Sequence, residues 1–289
     1  IRWIDKSINT YINKLLNTED IDYVVASDTD SIYVTFERLV HQVFTDTDDA
    51  NSTTKIITFL DRISKDKIEP FINSSYKALH SYVNSYAQKM QMGREVIADK
   101  GIWTAKKRYI LNVYDSEGVK YKEPKLKIMG IESVRSSTPE WCRNHIQDLI
   151  KIIINTDEDT VMKSIAEYRE EFNNLSFDQI AFPRSVHGVE KYSSTKSIYT
   201  KGTPIHVRGV LLYNHLLRKH KLTKKYQFIR ESEKIKFSYL KEPNPLHENV
   251  ISVSTHLPKE FELEKYIDYD LQFDKSFLQP IKNILDVIG

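Results

Sequence analysis

Two carboxylates set two residues apart, Asp28 and Asp30, interrupt an apolar stretch at residues 23–36 of this 289-residue chain. Val24-Val25-Ala26 precedes the break, and Ile32, Val34 and Phe36 alternate with Tyr33 and Thr35 after it. The stretch reads as a β-hairpin with acids at its tip. On extended backbone, side chains two positions apart lie on the same side. Asp28 and Asp30 so arranged can reach one hard cation that prefers oxygen ligands, such as Mg²⁺. A solvated turn is the competing reading of the same letters. The second constellation is basic. Lys106-Lys107-Arg108-Tyr109 leads into β-forming residues 110–114, Asp115-Ser116-Glu117-Gly118 makes a turn, and Val119-Lys120-Tyr121-Lys122 returns. In this hairpin the cations stand at the entry and Lys107 shares a side with Tyr109, where a cation and a phenol can hold a nucleic-acid backbone and touch a groove edge. A solvated strand end is again the plain alternative.

Helices must hold these hairpins. Ile1, Trp3, Ile4, Ile8, Tyr11, Ile12 and Leu15 recur at three- and four-residue steps, a helix that begins without a cap. That start suggests a cut chain whose missing neighbour packs on the helix. A polar acidic loop is expected over 45–54. Ile56, Phe59, Leu60 and Ile63 then form one apolar face, and Tyr76, Leu79, Val83, Tyr86 and Met90 follow Pro70 on another. Both faces are expected to cover one side of the sheet that carries the acidic hairpin. Gly93-Arg94-Glu95 leads into the basic motif.

The texture changes after Gly130, where the domain boundary is placed. Thr138 is the expected N-cap and Pro139 the first residue of a helix carrying Trp141, Ile146, Leu149, Ile150 and Ile153. Val161, Ile165, Tyr168 and Phe172 mark the next. Residues 182–203 are polar, basic and turn-rich, and read as a loop over something negative. His187 and His206 lack a second ligand at metal spacing, so phosphate or backbone contact, or exposure, is expected rather than zinc. Residues 205–217 are helical, with Val207, Val210, Leu211 and Leu217 inward and Arg208, Arg218 and Lys219 outward. Residues 226–229 and 234–239 alternate like a small ribbon, and Tyr266, Leu271, Phe273, Phe277, Leu278, Ile281 and Leu285 space a final helical stretch.

A 40% hydrophobic, 28% charged composition excludes a disordered chain, and no apolar run nears the roughly 18 residues of a membrane span. One cysteine, Cys142, excludes an internal disulfide framework and fits a reducing compartment. The net charge of +2 conceals segregation. Residues 100–130 carry eight basic side chains against three acidic, and residues 183–225 carry ten against one, within an acidic remainder. Such segregation marks a polyanion binder, with solvated loops as the alternative.

Asp28-Thr29-Asp30-Ser31 between strands, then Lys106-Lys107-Arg108-Tyr109, Glu123-Pro124-Lys125-Leu126-Lys127-Ile128-Met129-Gly130, Ser136-Ser137-Thr138-Pro139 and Ile205-His206-Val207-Arg208-Gly209-Val210-Leu211 resemble, in that order, the C-terminal part of family B replicative DNA polymerases, most of all those of T-even-type bacteriophages. The resemblance spans nearly the whole chain. It implies an α+β fold, with an antiparallel palm sheet and covering helices over 1–130 and a mainly helical thumb over 131–289. It implies that Asp30 is a ligand of two divalent ions, Mg²⁺ or substituting Mn²⁺, together with an aspartate from an earlier motif, while Asp28 shapes the site and its field. Thr29 and Glu95 take supporting places. Lys106, Lys107, Arg108 and Tyr109 grip the primer end, and Lys125, Lys127, Lys191, Lys201, His206 and Arg208 face primer-template DNA.

The implied reaction is template-directed nucleotidyl transfer from a dNTP to a primer 3′-hydroxyl. The earlier palm aspartate, the fingers and the 3′–5′ exonuclease do not precede the motif here, so the expected partner is an N-terminal portion of the same polymerase. The implied setting is the cytoplasm of an infected bacterial host, with a sliding clamp as a further partner and no membrane. Two departures stand out: Ala26-Ser27 replace the family's usual Tyr-Gly, and the chain ends Val287-Ile288-Gly289 without a short aromatic clamp-binding tail. Two other readings remain: a non-catalytic DNA-binding polymerase subunit, or an Asp-x-Asp glycosyltransferase, which would need a nucleotide-binding unit before the motif.

Overall fold

Apolar residues at helical spacing near the start of the chain do become a helix: in the computed structural model, which describes residues 1–44 and 50–289, α1 covers Arg2–Leu16. Its inward stripe of Ile4, Ile8 and Ile12 is buried, and Asn17 closes it in a left-handed conformation. The acidic hairpin follows as β1, Val24–Ser27, and β2, Ile32–Val34. Then come α2, Glu37–Val43, α3, Ala50–Ile63, a π-helical turn over Ser64–Ile68, and α4, Glu69–Tyr82. Residues 45–49 of the expected acidic loop lie outside the described residues, and from Ala50 the chain is helical.

Ile4, Ile8, Ile12, Tyr23, Ile72 and Tyr76 form one buried core, against which Val24, Ile32, Val34 and Phe36 pack. The hairpin's apolar face thereby packs against the core that α1 and α4 share, each buried aliphatic chain contributing about 1.5–3 kcal/mol of transfer energy. The expected second apolar face ends early, because α4 stops at Tyr82 and Val83, Tyr86 and Met90 are exposed.

Three longer strands follow: β3, Val96–Ala105, β4, Arg108–Ser116, and β5, Val119–Met129, in the order β3-β4-β5. The acidic hairpin forms its own two-stranded sheet instead of joining this one. An expected strand–turn–strand over 109–122 is present, but β3 adds an earlier partner, so the basic motif closes a hairpin rather than opening one.

The chain divides into two compact units, Ile1–Lys127 and Ile128–Gly289. In the second, α5 spans Glu140–Asn155 and α6 Glu158–Phe172, the latter capped by the Asp157 carboxylate accepting from the Thr160 amide at 2.9 Å. Pro139, not Thr138, is the residue before α5, and Thr138 is buried, its carbonyl accepting from Arg143 Nη1. The short α7, Phe177–Ile180, leads into β6, Phe182–Ser185; α8, Val189–Tyr192, and α9, Ile205–Lys219, come next. The strands β7, Lys234–Tyr239, and β8, Val250–Val253, complete an antiparallel sheet ordered β6-β7-β8. The ribbon read from the sequence is thus re-paired: β7 lies between β6 and β8, and residues 226–229 form no strand. Alternation identified a strand but carried no information about its distant partners.

In α9, Val207, Val210, Leu211 and Leu217 are buried as the spacing predicts. Gly209 allows α9 to lie on β8, since a Cβ there would stand 2.3 Å from Ser252 Oγ and 2.7 Å from its backbone nitrogen. The chain closes with α10, Tyr269–Phe273, a π-helical turn over Asp274–Leu278, and α11, Gln279–Ile288. Phe273, Phe277, Ile281 and Ile284 are buried, so this end of the chain does pack into the second unit. The class is α+β with antiparallel sheets, and among the described residues no helix is long and apolar enough to cross a membrane.

Candidate active site

Asp28 to Ser31 form the four-residue loop between β1 and β2, closed by the Asp28 amide donating to the Ser31 carbonyl at 2.9 Å. These residues are loop rather than strand, so the alternation that would put both carboxylates on one side does not govern them. Asp28 Oδ1 instead accepts from the Thr29 amide at 2.8 Å and from Thr29 Oγ1 at 3.2 Å. The backbone donation from Thr29, with the positive charges of Lys107 and Lys106, holds the Asp28 carboxyl below its usual 3.8 against the opposing effect of partial burial. Thr29 thus has a local role: it orients Asp28 and keeps it ionised. Asp30 stands exposed beside it.

The basic motif is placed differently from its sequence reading. Ala105 pairs with Arg108, so Lys106 and Lys107 are the two turn residues joining β3 to β4. Lys107 has φ 61°, a left-handed conformation that costs a side-chain-bearing residue about 1–2 kcal/mol. Lys107 and Tyr109 therefore do not share a strand face: Lys107 projects from the tip, while Tyr109 lies on β4 opposite Trp103. The Arg108 carbonyl lies 3.4 Å from Thr104 Oγ1.

Aromatic rings join the two hairpins. Tyr33 of β2 lies 5.4 Å from Trp103 and 5.4 Å from Tyr109, and Trp103 lies 6.3 Å from Tyr109. Tilted and edge-on rings at these separations attract beyond their area burial by about 0.5–1.5 kcal/mol per pair. Gly101 leaves space for the indole, since a Cβ there would meet the Trp103 ring at 2.6 Å and Leu111 at 2.9 Å. Burial, a hydrogen bond with Tyr33 and the nearby charges of Glu95 and Asp28 push the Tyr109 phenol far above the usual tyrosine range. One constellation in the first unit therefore collects Asp28, Glu95, Lys106, Lys107, Tyr33, Trp103 and Tyr109. Tyr33 and Trp103 escaped the sequence reading because aromatic residues in alternating runs are ordinary strand formers.

The other expected contacts differ in how far the fold engages them. Lys127 pairs with Glu95, and Lys125 sits 4.3 Å over the Tyr121 ring. In the second unit Lys191 lies 5.2 Å from the centre of the Tyr192 ring, and Lys201 is exposed in the loop before α9. Arg208 Nη2 donates to Asn249 Oδ1 at 2.5 Å, and Glu248 lies 3.8 Å from Arg208 Nε, so the guanidinium is occupied within the fold. His206 is partly buried, and desolvation, with Arg184 and His187 nearby, lowers its pKa below the usual 6.5. It is a neutral ring near Phe237 rather than a cation at neutral pH. His187 lies 3.5 Å from Glu231.

The profile of the divergent family B DNA polymerases matches residues 14–172, more than half of the chain. The chain belongs to the family B DNA polymerases. Two relatives carry the match across all or nearly all of the chain: the DNA-directed DNA polymerase of Enterobacteria phage T4, 33% identical over all of this chain, and that of Escherichia phage RB69, 32% identical over 98% of it. The chain spans 33% and 32% of the length of these two relatives. Membership leaves the glycosyltransferase alternative without support. Family B polymerases use divalent metal in general, and the donor chemistry at the hairpin loop fits that use. Asp28 and Asp30 offer hard carboxylate oxygens, one held ionised and one exposed. Among the described residues no three acids, histidines or cysteines group to hold an ion.

Proposed function

We propose that this chain supplies one side of the active site of a template-directed DNA polymerase, the palm portion over 1–130 and the thumb over 131–289. In this reading an N-terminal portion brings the remaining palm aspartate, the fingers that bind dNTP and the exonuclease. The observation that carries it is the aromatic junction of Tyr33, Trp103 and Tyr109, which sets the acidic loop and the basic turn of Lys106 and Lys107 in each other's field. Polyphosphate chemistry at a primer end requires carboxylates for metal and cations for phosphate side by side.

Asp30, with Asp28, would hold Mg²⁺ or Mn²⁺, which when bound acidifies a primer 3′-hydroxyl and neutralises triphosphate charge. The chain's own residues do the rest of the work assigned here. Lys106 and Lys107, at an exposed turn, hold backbone phosphates of the primer. Tyr109 stays a neutral phenol, so it presents a hydroxyl rather than a phenolate towards minor-groove acceptors that all correct base pairs share. Glu95 adds negative charge beside it. Lys191 and Lys201 lie on the thumb side, towards duplex phosphates. A sliding clamp and the cytoplasm of an infected host complete the proposed setting.

Mixing this chain with a separately made N-terminal portion is expected to give metal-dependent primer extension that neither gives alone. Asp30→Ala in the mixture is expected to abolish it. Extension by this chain alone, or full extension with Asp30→Ala, overturns the proposal. A mixture that binds primer-template but never extends it favours the non-catalytic subunit instead.

A further inference from the structure

Arg94 is tied to three carboxylates in the first unit, and no step above uses it. Its side chain is only 9% exposed. Nη2 donates to Asp61 Oδ1 of α3 at 2.5 Å, and Nη1 donates to Asp115 Oδ1 near the end of β4. Asp115 is fully buried, and the same Oδ1 accepts from the Gly118 amide at 2.9 Å across the β4–β5 turn. The Arg94 amide donates to Glu69 Oε1, at the start of α4, at 2.9 Å. Three carboxylates from three elements thus converge on one residue, and Lys65 flanks Asp61 at 2.8 Å.

A buried charge network of this kind is a poor source of stability, because desolvation offsets the attraction and apolar packing serves as well. What it does give is direction, since each bond holds only at one geometry. The residue so aimed is the next one. The Glu95 carbonyl accepts from the Glu117 amide at 2.7 Å, its carboxylate pairs with Lys127, and its charge is felt by the Tyr109 phenol. Glu95 itself is half exposed, so beyond Lys127 and the Glu117 amide its place depends on how firmly the residue before it is anchored.

We infer that Arg94 is a positioning residue for the polymerase site, fixing the Glu95 carboxylate beside Lys127 and Tyr109 by tying the entry of β3 to α3, α4 and the β4–β5 turn. The inference rests on the function proposed above. Arg94 does not touch DNA in it, since both terminal nitrogens are taken and the group is nearly buried.

The test uses the chain mixed with its N-terminal portion and four variants: Arg94→Lys, Arg94→Met paired with Asp115→Asn so that no lone charge is buried, Glu95→Gln, and the combination of all three substitutions. Glu95→Gln and the Arg94 pair variant are each expected to lower kcat about tenfold with KM for primer-template changed less than threefold. The combination is expected to be no slower than Glu95→Gln, with Arg94→Lys in between. In the chain alone, amide hydrogen exchange in the pair variant is expected to quicken at Glu117 while the core of α1, β1 and β2 keeps its protection. Loss of protection throughout the first unit, or multiplicative losses in the combination, would show that Arg94 serves general stability and overturn the inference. So would full activity of the pair variant where Glu95→Gln is impaired. If Glu95→Gln and Asp30→Ala are both fully active, the function proposed above fails as well.

Discussion

At the scale of single residues, Asp28 and Lys107 answer each other. Asp28 is held ionised by the Thr29 backbone first and by the lysines of the β3–β4 turn second. Its carboxyl lies below its value in an unfolded chain, so the stabilisation that goes with its charge is present at neutral pH and is lost as pH falls through the folded value, below about 4. Lys107→Ala is expected to move the Asp28 titration up towards 3.8 while leaving most of the depression in place, read by carboxyl NMR. An unmoved Asp28 would mean that the two loops do not share a field. The left-handed backbone at Lys107 adds a second readout: Lys107→Gly removes the same charge but relaxes φ 61°, and is expected to be more stable than Lys107→Ala by about 1 kcal/mol in urea unfolding.

At the scale of elements, α9 and β8 show what close approach demands. Gly209→Ala places a methyl group 2.7 Å from the Ser252 backbone, which cannot swing aside as a side-chain tip would. The expected cost is about 1–3 kcal/mol, with lost amide protection confined to the second unit. On the same helix, His206 is pushed below its usual 6.5 by burial, with Arg184 and His187 adding to the effect. The unfolded chain therefore takes up the proton first, and stability present above about pH 6.5 declines as pH falls below it. His206→Gln is expected to flatten that decline in chemical denaturation between pH 7.5 and 5. An equally steep decline would place the acid sensitivity elsewhere.

At the scale of the molecule, charge segregation is the feature with a measurable consequence. Cations at the turn of Lys106 and Lys107 are expected to release counterions when the chain binds primer-template DNA. Lys107→Ala should weaken binding at low salt and reduce the slope of log Kd against log salt by about one. Arg208→Ala should change that slope little, because Glu248 and Asn249 already hold the guanidinium. Equal slopes for wild type and Lys107→Ala would remove Lys107 from the phosphate contacts.

The sequence by itself determined the α+β class, the existence of the acidic hairpin, the burial of α1 and α9 along their apolar stripes, and family membership through the order of its motifs. Those features are local, set by periodicities of 2 and 3.6 residues and by short runs of functional side chains. Only the tertiary structure decided which strand pairs with which, so that β7 joined β6 and β8 and the basic motif became a turn with Lys107 left-handed. It also decided which charges are free. Arg208 and Lys127 look alike in sequence to Lys106 and Lys107, yet ion pairs with residues 40 and 32 positions away occupy the first two. Tyr33, Trp103 and Arg94 matter because of rings and carboxylates brought to them from distant strands and helices, and no spacing along a chain encodes that meeting.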